Sequence, residues 1–215
     1  MIVTIDGPSG AGKSTVAKKL AQTLGFRYLD TGAMYRVLVL SAIRAEIRWE
    51  NEEALVENCR NTEFHVEGDS IWLGDENVSN EIRHPEISKQ IWHVADHVRI
   101  RELMVERQRS IASFGNYVCE GRDQGTVVFP KAERKVFLTA SANERAKRRQ
   151  VELAEKGVDL SLVEIEEEQN ERDLHDYNRP VGRLVKADDA VEVVTDGMSF
   201  EQVVHELVMI VRGSR

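Results

Sequence analysis

The sequence predicts an α/β fold, a parallel sheet flanked by helices, and three observations predict it. Gly7, Gly10, Gly12, Lys13 and Ser14 fill the pattern G-x-x-x-x-G-K-[ST] without a gap. The β-branched run Ile2 to Ile5 stands directly before that pattern, and Ser14 to Leu24, apolar at helical spacing, directly after it. Short strand-like runs then alternate with helical stretches along most of the chain, which is the signature of βα units.

The glycine spacing has a mechanical reason. Glycines let the backbone turn closely around an anion so that successive N–H groups point inward, and Lys13 and Ser14 open a helix whose positive end faces the same anion. The segment Gly7, Pro8, Ser9, Gly10, Ala11, Gly12, Lys13, Ser14 and Thr15 is the expected ATP-binding P-loop. Lys13 is expected to reach the β and γ phosphates, and the Ser14 hydroxyl to ligate Mg²⁺.

At 215 residues the chain is long enough to bury a full core as one domain with mobile appendages. A formal net charge of −8 argues against a nucleic-acid surface as the main partner, although arginines concentrate locally in the second half. Cys59 and Cys119 match no C-x-x-C spacing, so buried thiols in a reducing compartment are expected rather than a disulfide or zinc. The chain enters a core strand at once and has no apolar run long enough for a bilayer, so a soluble cytoplasmic protein without signal peptide or membrane partner is expected. No function is read into Gly213-Ser214-Arg215.

In chain order, Gly25 ends the first helix and Arg27 to Asp30 is a short strand. A helix from about Thr31 to Ile47 follows, with Leu38, Ala42 and Ala45 at helical spacing and Thr31 as its cap. Thr31, Tyr35 and Arg36 therefore stand at the mouth of the first βα crevices, where open α/β sheets bind ligands. Glu52 to Cys59 is a short helix. Glu63 to Val78 alternates around the turn signals Gly68-Asp69 and Gly74-Asp75 and is expected to form a small antiparallel sheet inserted beside the core. Helices from about Pro85 to Ala95 and Val98 to Phe114 come next, then the strand Tyr117 to Glu120 and the loop Gly121-Arg122-Asp123-Gln124-Gly125-Thr126. Lys135 to Leu138 is a strand. Helices Ala142 to Lys156 and Ser161 to Tyr177 break at Gly157, and the strand Val191 to Thr195 and the amphipathic helix Phe200 to Val211 close the core.

The arginines fall in patterns. Arg145, Arg148 and Arg149 share one helix face, and Arg172, Asp176 and Arg179 share the next. Arginine forks bind phosphate oxygens bidentately, and two helices hinged on a loop can close them over a nucleotide; Arg148, Arg172 and Arg179 are the candidates. Arg122 and Asp123 follow a core strand and so stand at the crevice edge. Glu120 either contacts Mg²⁺ or its waters, or caps and pairs locally. His93 and His97 stand at i and i+4 but lack the Glu of H-E-x-x-H, so no zinc is expected. Trp72 and Trp92 are packing residues by type, and the acidic run Glu164 to Glu168 is a solvated helix face.

Taken together, these stretches resemble the bacterial-type cytidylate kinases over nearly the whole chain. The resemblance rests on IDGPSGAGKST (5–15), LDTGAMYR (29–36), the small-sheet insertion, VRIRELMVERQR (98–109), EGRDQGTVVFP (120–130), KVFLTAS (135–141) and ERDLHDYNR (171–179). It implies a P-loop three-layer sandwich with a five-stranded parallel sheet of order 2-3-1-4-5, a small antiparallel-sheet insertion and a helical lid. It divides the single kinase domain into a core (about 1–35, 100–142 and 188–212), an acceptor-binding insertion (about 36–99, its sheet about 63–78) and a lid (about 143–180). It also implies a monomer that transfers the γ-phosphoryl of MgATP to CMP or dCMP, with Mg²⁺ and ATP as cofactor and co-substrate.

Carried over by position, Thr31, Tyr35 and Arg36 resemble acceptor-site residues. Arg101 and Asp123 fall where the cytosine edge is bound, and Arg122 where the acceptor phosphate is bound. Arg172, Asp176 and Arg179 fall on the lid side, and the implied catalytic set is Lys13, Arg122, Arg148, Arg172 and Arg179. Three positions depart from the family pattern. Trp92 stands where a base-reading serine is usual, Gln124 replaces an apolar residue in Gly-Arg-Asp-x-Gly, and Gly182-Arg183-Leu184 replaces Ala-Pro-Leu. By that position Trp92 is counted among the acceptor-binding residues, and it leaves open a kinase for a modified or different nucleoside monophosphate. A nucleotide-dependent regulatory module is disfavoured by the lack of an N-K-x-D motif. A phosphotransferase for a small sugar or shikimate-like acid has less need of the insertion and of Gly121-Arg122-Asp123.

Overall fold

The computed structural model describes residues 1–67, 70–155 and 157–213. Five parallel strands form the main sheet: β1 (Ile2–Asp6), β2 (Arg27–Asp30), β6 (Tyr117–Gly121), β7 (Arg134–Thr139) and β8 (Val191–Val194). They lie in the order β2-β6-β1-β7-β8, which in core-strand numbering is the expected 2-3-1-4-5. The inserted sheet is three-stranded and antiparallel, from β3 (Phe64–Glu67), β4 (Ser70–Leu73) and β5 (Glu76–Asn77). The turn signal Gly68-Asp69 lies outside the described residues, as does Lys156.

Strand period explains the three layers. On β6, Val118 packs with Val3, Ile5, Leu20 and Leu207 in the layer under α1 (Lys13–Leu24) and α9 (Phe200–Arg212). Its neighbours Tyr117 and Cys119 turn to the other face, where they pack with Met34, Leu38, Ile100 and Met104 of α2 (Thr31–Arg44) and α6 (Val98–Ala112). Alternate side chains of one strand thus feed two cores, each buried side chain contributing about 1.5 to 3 kcal/mol. The second core continues into the insertion through Leu55 of α3 (Glu52–Asn61), Ile71, and Ile82 of a 3₁₀ turn.

Several boundaries differ from expectation. The second helix stops at Arg44, because Glu46 takes the left-handed conformation (φ 51°) and Ala45 is exposed. Its cap is Asp30, whose Oδ1 accepts from Ala33 N at 2.8 Å, and Thr31 is the first helical residue. Pro85 to Ala95 is two short helices, α4 (Pro85–Lys89) and α5 (Trp92–Ala95), separated at Gln90 and Ile91. The next helix ends at Ala112. Helices α7 (Ala142–Glu155) and α8 (Leu162–Asn178) form a hairpin, with Ser161 and Glu164 making a capping box at the start of α8. Glu164 of the acidic run therefore has a structural task.

Strand register sets the site. Asp6 lies opposite Gly121, and Asp30 opposite Glu120, so the carboxyl ends of β1, β2 and β6 stand side by side. Gly7 leaves β1 at that edge. A Cβ there would stand 1.9 Å from the Leu138 carbonyl oxygen, a backbone atom that cannot turn aside. Gly7→Ala is expected to cost about 2 to 3 kcal/mol of stability. A lowered urea midpoint at unchanged slope checks this, and an unchanged midpoint contradicts it.

Candidate active site

A cleft of about 620 Å³ runs from the P-loop across the ends of the strands to α5 and α8. That size suits a nucleotide-sized ligand. Gly12, left-handed, precedes α1 without a side-chain cap, so the first-turn N–H groups of that helix face the cleft end of the loop. Lys13 donates to the Pro8 carbonyl at 2.6 Å. Burial, and then the charge of Arg122, pushes Lys13 down to about 7 against the opposing pull of Glu120. The tip of the loop is tied to α8, because Ser9 N donates to Asp173 Oδ1 at 2.7 Å. Arg145, expected on the arginine face with Arg148, is instead buried, ion-paired with Asp173 and bonded to Ser9 O at 2.7 Å.

Arginines from three elements meet in the middle of the cleft. Arg122 Nε donates to Asp176 Oδ2 at 2.6 Å, and Arg179 pairs with the same carboxylate. Burial alone would raise Asp176, but Arg122, Arg179 and Arg172 outweigh it and hold the carboxyl below the usual range. Arg172 has no hydrogen-bond or ion-pair partner among the described residues, and burial followed by repulsion from Arg122 and Arg36 pushes it down to about 10. Arg36 lines the cleft with its Nε buried and unpartnered. Arg148 also lines it, held by Thr195 Oγ1 and O at 2.9 Å each and by Glu144 at 3.0 Å. Arg149 pairs with Glu152 at 2.8 Å.

At the far end Arg101 and Asp123 form a buried ion pair, and Arg101 Nη1 donates to Ala95 O at 3.0 Å. The Arg101 guanidinium lies 5.5 Å above the Tyr35 ring, whose hydroxyl is buried without a partner and pushed up to about 12, by burial first. Gly182 explains one departure from the family pattern. It is left-handed (φ 62°), and a Cβ there would stand 1.9 Å from Arg101 Nη2, so the backbone lies directly on the guanidinium. Gln124 explains another: its buried amide donates to Gln108 Oε1 at 3.1 Å and to Thr31 Oγ1 at 3.4 Å. The Thr31 hydroxyl in turn donates to Glu120 O at 2.7 Å.

Trp92, expected at the acceptor site, stands apart from the cleft. The cleft wall from this segment is made by Ile91 and Ala95, and Trp92 is not among the described lining residues; the residue is 47 % exposed. It starts α5 one residue after Ile91, and the helical turn carries it outward.

An oxygen-rich set stands beside the loop. Glu120 is buried and accepts from Tyr28 OH at 2.7 Å. Burial, and then Asp30, raises its carboxyl against Lys13, Ser14 and Tyr28. A serine hydroxyl with a carboxylate behind it is the hard-oxygen chemistry that suits Mg²⁺. Among the described residues there is no group of three or more His, Cys, Asp or Glu that would hold a metal by itself. His93 stacks between Trp49 and Trp92, and both cysteines are free and buried.

Sequence reasoning missed Asp6 and Asp173. Asp6 accepts from Gln124 N at 2.8 Å and Gly125 N at 2.7 Å, fixing the π-helical turn Gln124–Val128, and burial pushes it up to about 7 despite those donors. An acid ending the apolar run IVTID was the available signal. Asp173 had none, since it sits among other charges on a helix.

Fold and cleft define a P-loop phosphotransferase, with a second, arginine-lined region facing the loop. The cytidylate kinase family profile matches residues 3–213, and the chain belongs to that family. A cytidylate kinase from Rhodopirellula baltica is 50% identical over 212 residues, covering 99% of this chain and 93% of that one. A cytidylate kinase from Caldanaerobacter subterraneus is 45% identical over 210 residues, covering 98% and 94%. Among solved structures, an uncharacterised protein from Eubacterium ventriosum (TM-score 0.55, 12% identity, covering 100% of this chain and 99% of that one) shares the fold. So does a shikimate kinase from Bacteroides thetaiotaomicron (TM-score 0.51, 13% identity, covering 99% and 98%). The chain is thus a nucleoside monophosphate kinase, and no described helix is long and apolar enough to cross a membrane.

A polyphosphate beside Lys13 restores its charge. Binding of MgATP at pH 8 is therefore expected to take up about 0.5 to 1 proton per site. Calorimetry in buffers of different ionisation enthalpy measures this, with Lys13→Ala as the variant that should show none. Zero uptake in the wild type contradicts the depressed value.

Proposed function

We propose that the protein transfers the γ-phosphoryl group of MgATP to CMP or dCMP, giving ADP and CDP or dCDP. The observation that carries this is one cleft joining a P-loop to a buried Arg101–Asp123 pair, with arginines between them. The names of the relatives support the same acceptor.

The loop Gly7, Pro8, Ser9, Gly10, Ala11, Gly12, Lys13, Ser14 and Thr15 holds the ATP phosphates. Ser14, backed by Glu120, would hold Mg²⁺, which would supply charge neutralisation at the ATP phosphates. Arg36, Arg122 and Arg172 receive the acceptor phosphate, and Asp176 lies by the sugar hydroxyls. Thr31 and Tyr35 line the nucleoside, and Asp123 accepts from the amino group of cytosine while Arg101 donates to its ring acceptors. Lys13, Arg122, Arg172 and Arg179 offset the charge on the moving group, and Arg148 joins them by exchanging its Thr195 bonds for phosphate oxygens.

The acceptor phosphate is largely dianionic at pH 7 and needs no protein base. Its oxygen forms the new bond to the γ phosphorus as the bond from that phosphorus to the β,γ-bridging oxygen breaks, and the electron pair leaves on ADP. Positioning and charge neutralisation do the work. Residues 1–35, 100–142 and 188–212 serve as core, 36–99 as the acceptor side and 143–180 as a lid that excludes water. The reading with a different base rested on an indole in the pocket, and Trp92 lies outside it.

Assayed with CMP, dCMP, UMP, AMP, GMP and dTMP, the protein should form ADP fastest with CMP and dCMP; failure with both overturns the acceptor. Lys13→Ala and Arg179→Ala should each lower kcat by about 100-fold or more with little change in acceptor binding. Unchanged turnover in either contradicts its role.

Arg101→Ala should reduce the preference for CMP over UMP by about 5- to 150-fold, the worth of one buried hydrogen-bond partner. Equal losses on both nucleotides would make Arg101 a phosphate ligand instead.

A further inference from the structure

Trp92 is half-exposed and outside the cleft, yet it is not isolated. Its indole stacks on His93 with centroids 3.5 Å apart, and His93 stacks on Trp49 at 4.6 Å and 8°. These three rings form a short column on the surface of the insertion. The Trp92 end of the column meets His175 of α8 edge-on, at 6.5 Å and 63°. The same His175 ring is bonded through Nε2 to Asp96 Oδ2 at 2.5 Å, and Asp96 is the residue that directly follows α5. His175 is therefore gripped by the first residue of α5 and by the residue just past its last.

The grip lies next to the chemistry. Asp176, which binds Arg122 and Arg179, follows His175 directly, and Arg179 N donates to His175 O at 2.9 Å. Arg172 precedes His175 by one helical turn. A helix is stiff over that length, so where His175 comes to rest sets where these three side chains come to rest over the acceptor end of the cleft.

We propose that Trp92 is a positioning residue for phosphoryl transfer: with Asp96 it seats His175, and the seat fixes the closed position of α8 and of Arg172, Asp176 and Arg179. This rests on the reading of α8 as part of a moving lid.

The test uses the full-length protein with Trp92→Ala, Trp92→Phe, His175→Ala and the double Trp92→Ala/His175→Ala variant. Trp92→Ala and His175→Ala are each expected to lower kcat about three- to tenfold, with KM for ATP changed less than about twofold. Trp92→Phe, which keeps a ring edge, should recover most of the loss, and the double variant should be no worse than the worse single one. Amide hydrogen exchange without nucleotide should quicken over residues 162–178 in both alanine variants while α1 and α9 stay as in the wild type. Unchanged exchange over 162–178 in Trp92→Ala, or losses that multiply in the double variant, overturns the seat. The exchange arm needs no substrate, so it tests the seat even if the wild type fails to use CMP, an outcome that sinks only the acceptor.

Discussion

The concentration of positive charge is the constraint on which the rest of the cleft depends. Lys13, Arg36, Arg122, Arg172 and Arg179 line one cavity in a chain whose formal net charge is −8. Burial first, and then repulsion from neighbouring arginines, pushes Lys13 and Arg172 well below their ordinary values. The acids answer this locally. Asp176 is shared by Arg122 and Arg179, Asp173 holds Arg145, and Asp123 holds Arg101. A buried cation left without such a partner would cost several kcal/mol. The polyanionic substrates supply the remaining counter-charge, so affinity and folding draw on the same electrostatics.

What was legible in the sequence follows from how local its cause is. The loop from Gly7 to Thr15 could be read directly, because its glycines, lysine and serine act within one turn of chain. The strands could be read too, since each needs only a short run with apolar, aromatic or β-branched residues, but their order needed the family resemblance. The π-helical turn Gln124–Val128 could not be read, because its cause is Asp6, 118 residues earlier in the chain. The same holds for Ser9, whose amide is satisfied by Asp173. Thr31 and Asp30 are both plausible caps by type, and only the sheet edge decides between them: the Thr31 hydroxyl is drawn to Glu120 O and leaves Asp30 free to accept from Ala33.

The three departures from the family pattern have different physical standing. Gly182 is a close-contact requirement, since its backbone rests on Arg101. Gln124 exchanges apolar packing for a buried amide chain to Gln108 and Thr31, with Gln124 Oε1 and Gln108 Nε2 left unpartnered. Such groups usually need a water or are costly. Trp92 is placed by its turn on a four-residue helix, whose geometry a sequence position does not convey.

Helix α8 touches the P-loop through Asp173 and the far wall of the cleft through His175, two residues apart on one rigid rod. The donor and acceptor ends of the cleft are therefore not independent compartments with separate doors. Displacing the rod from Ser9 while it stays rigid would also strain its bond to Asp96, so the two ends of the cleft are mechanically coupled through one helix.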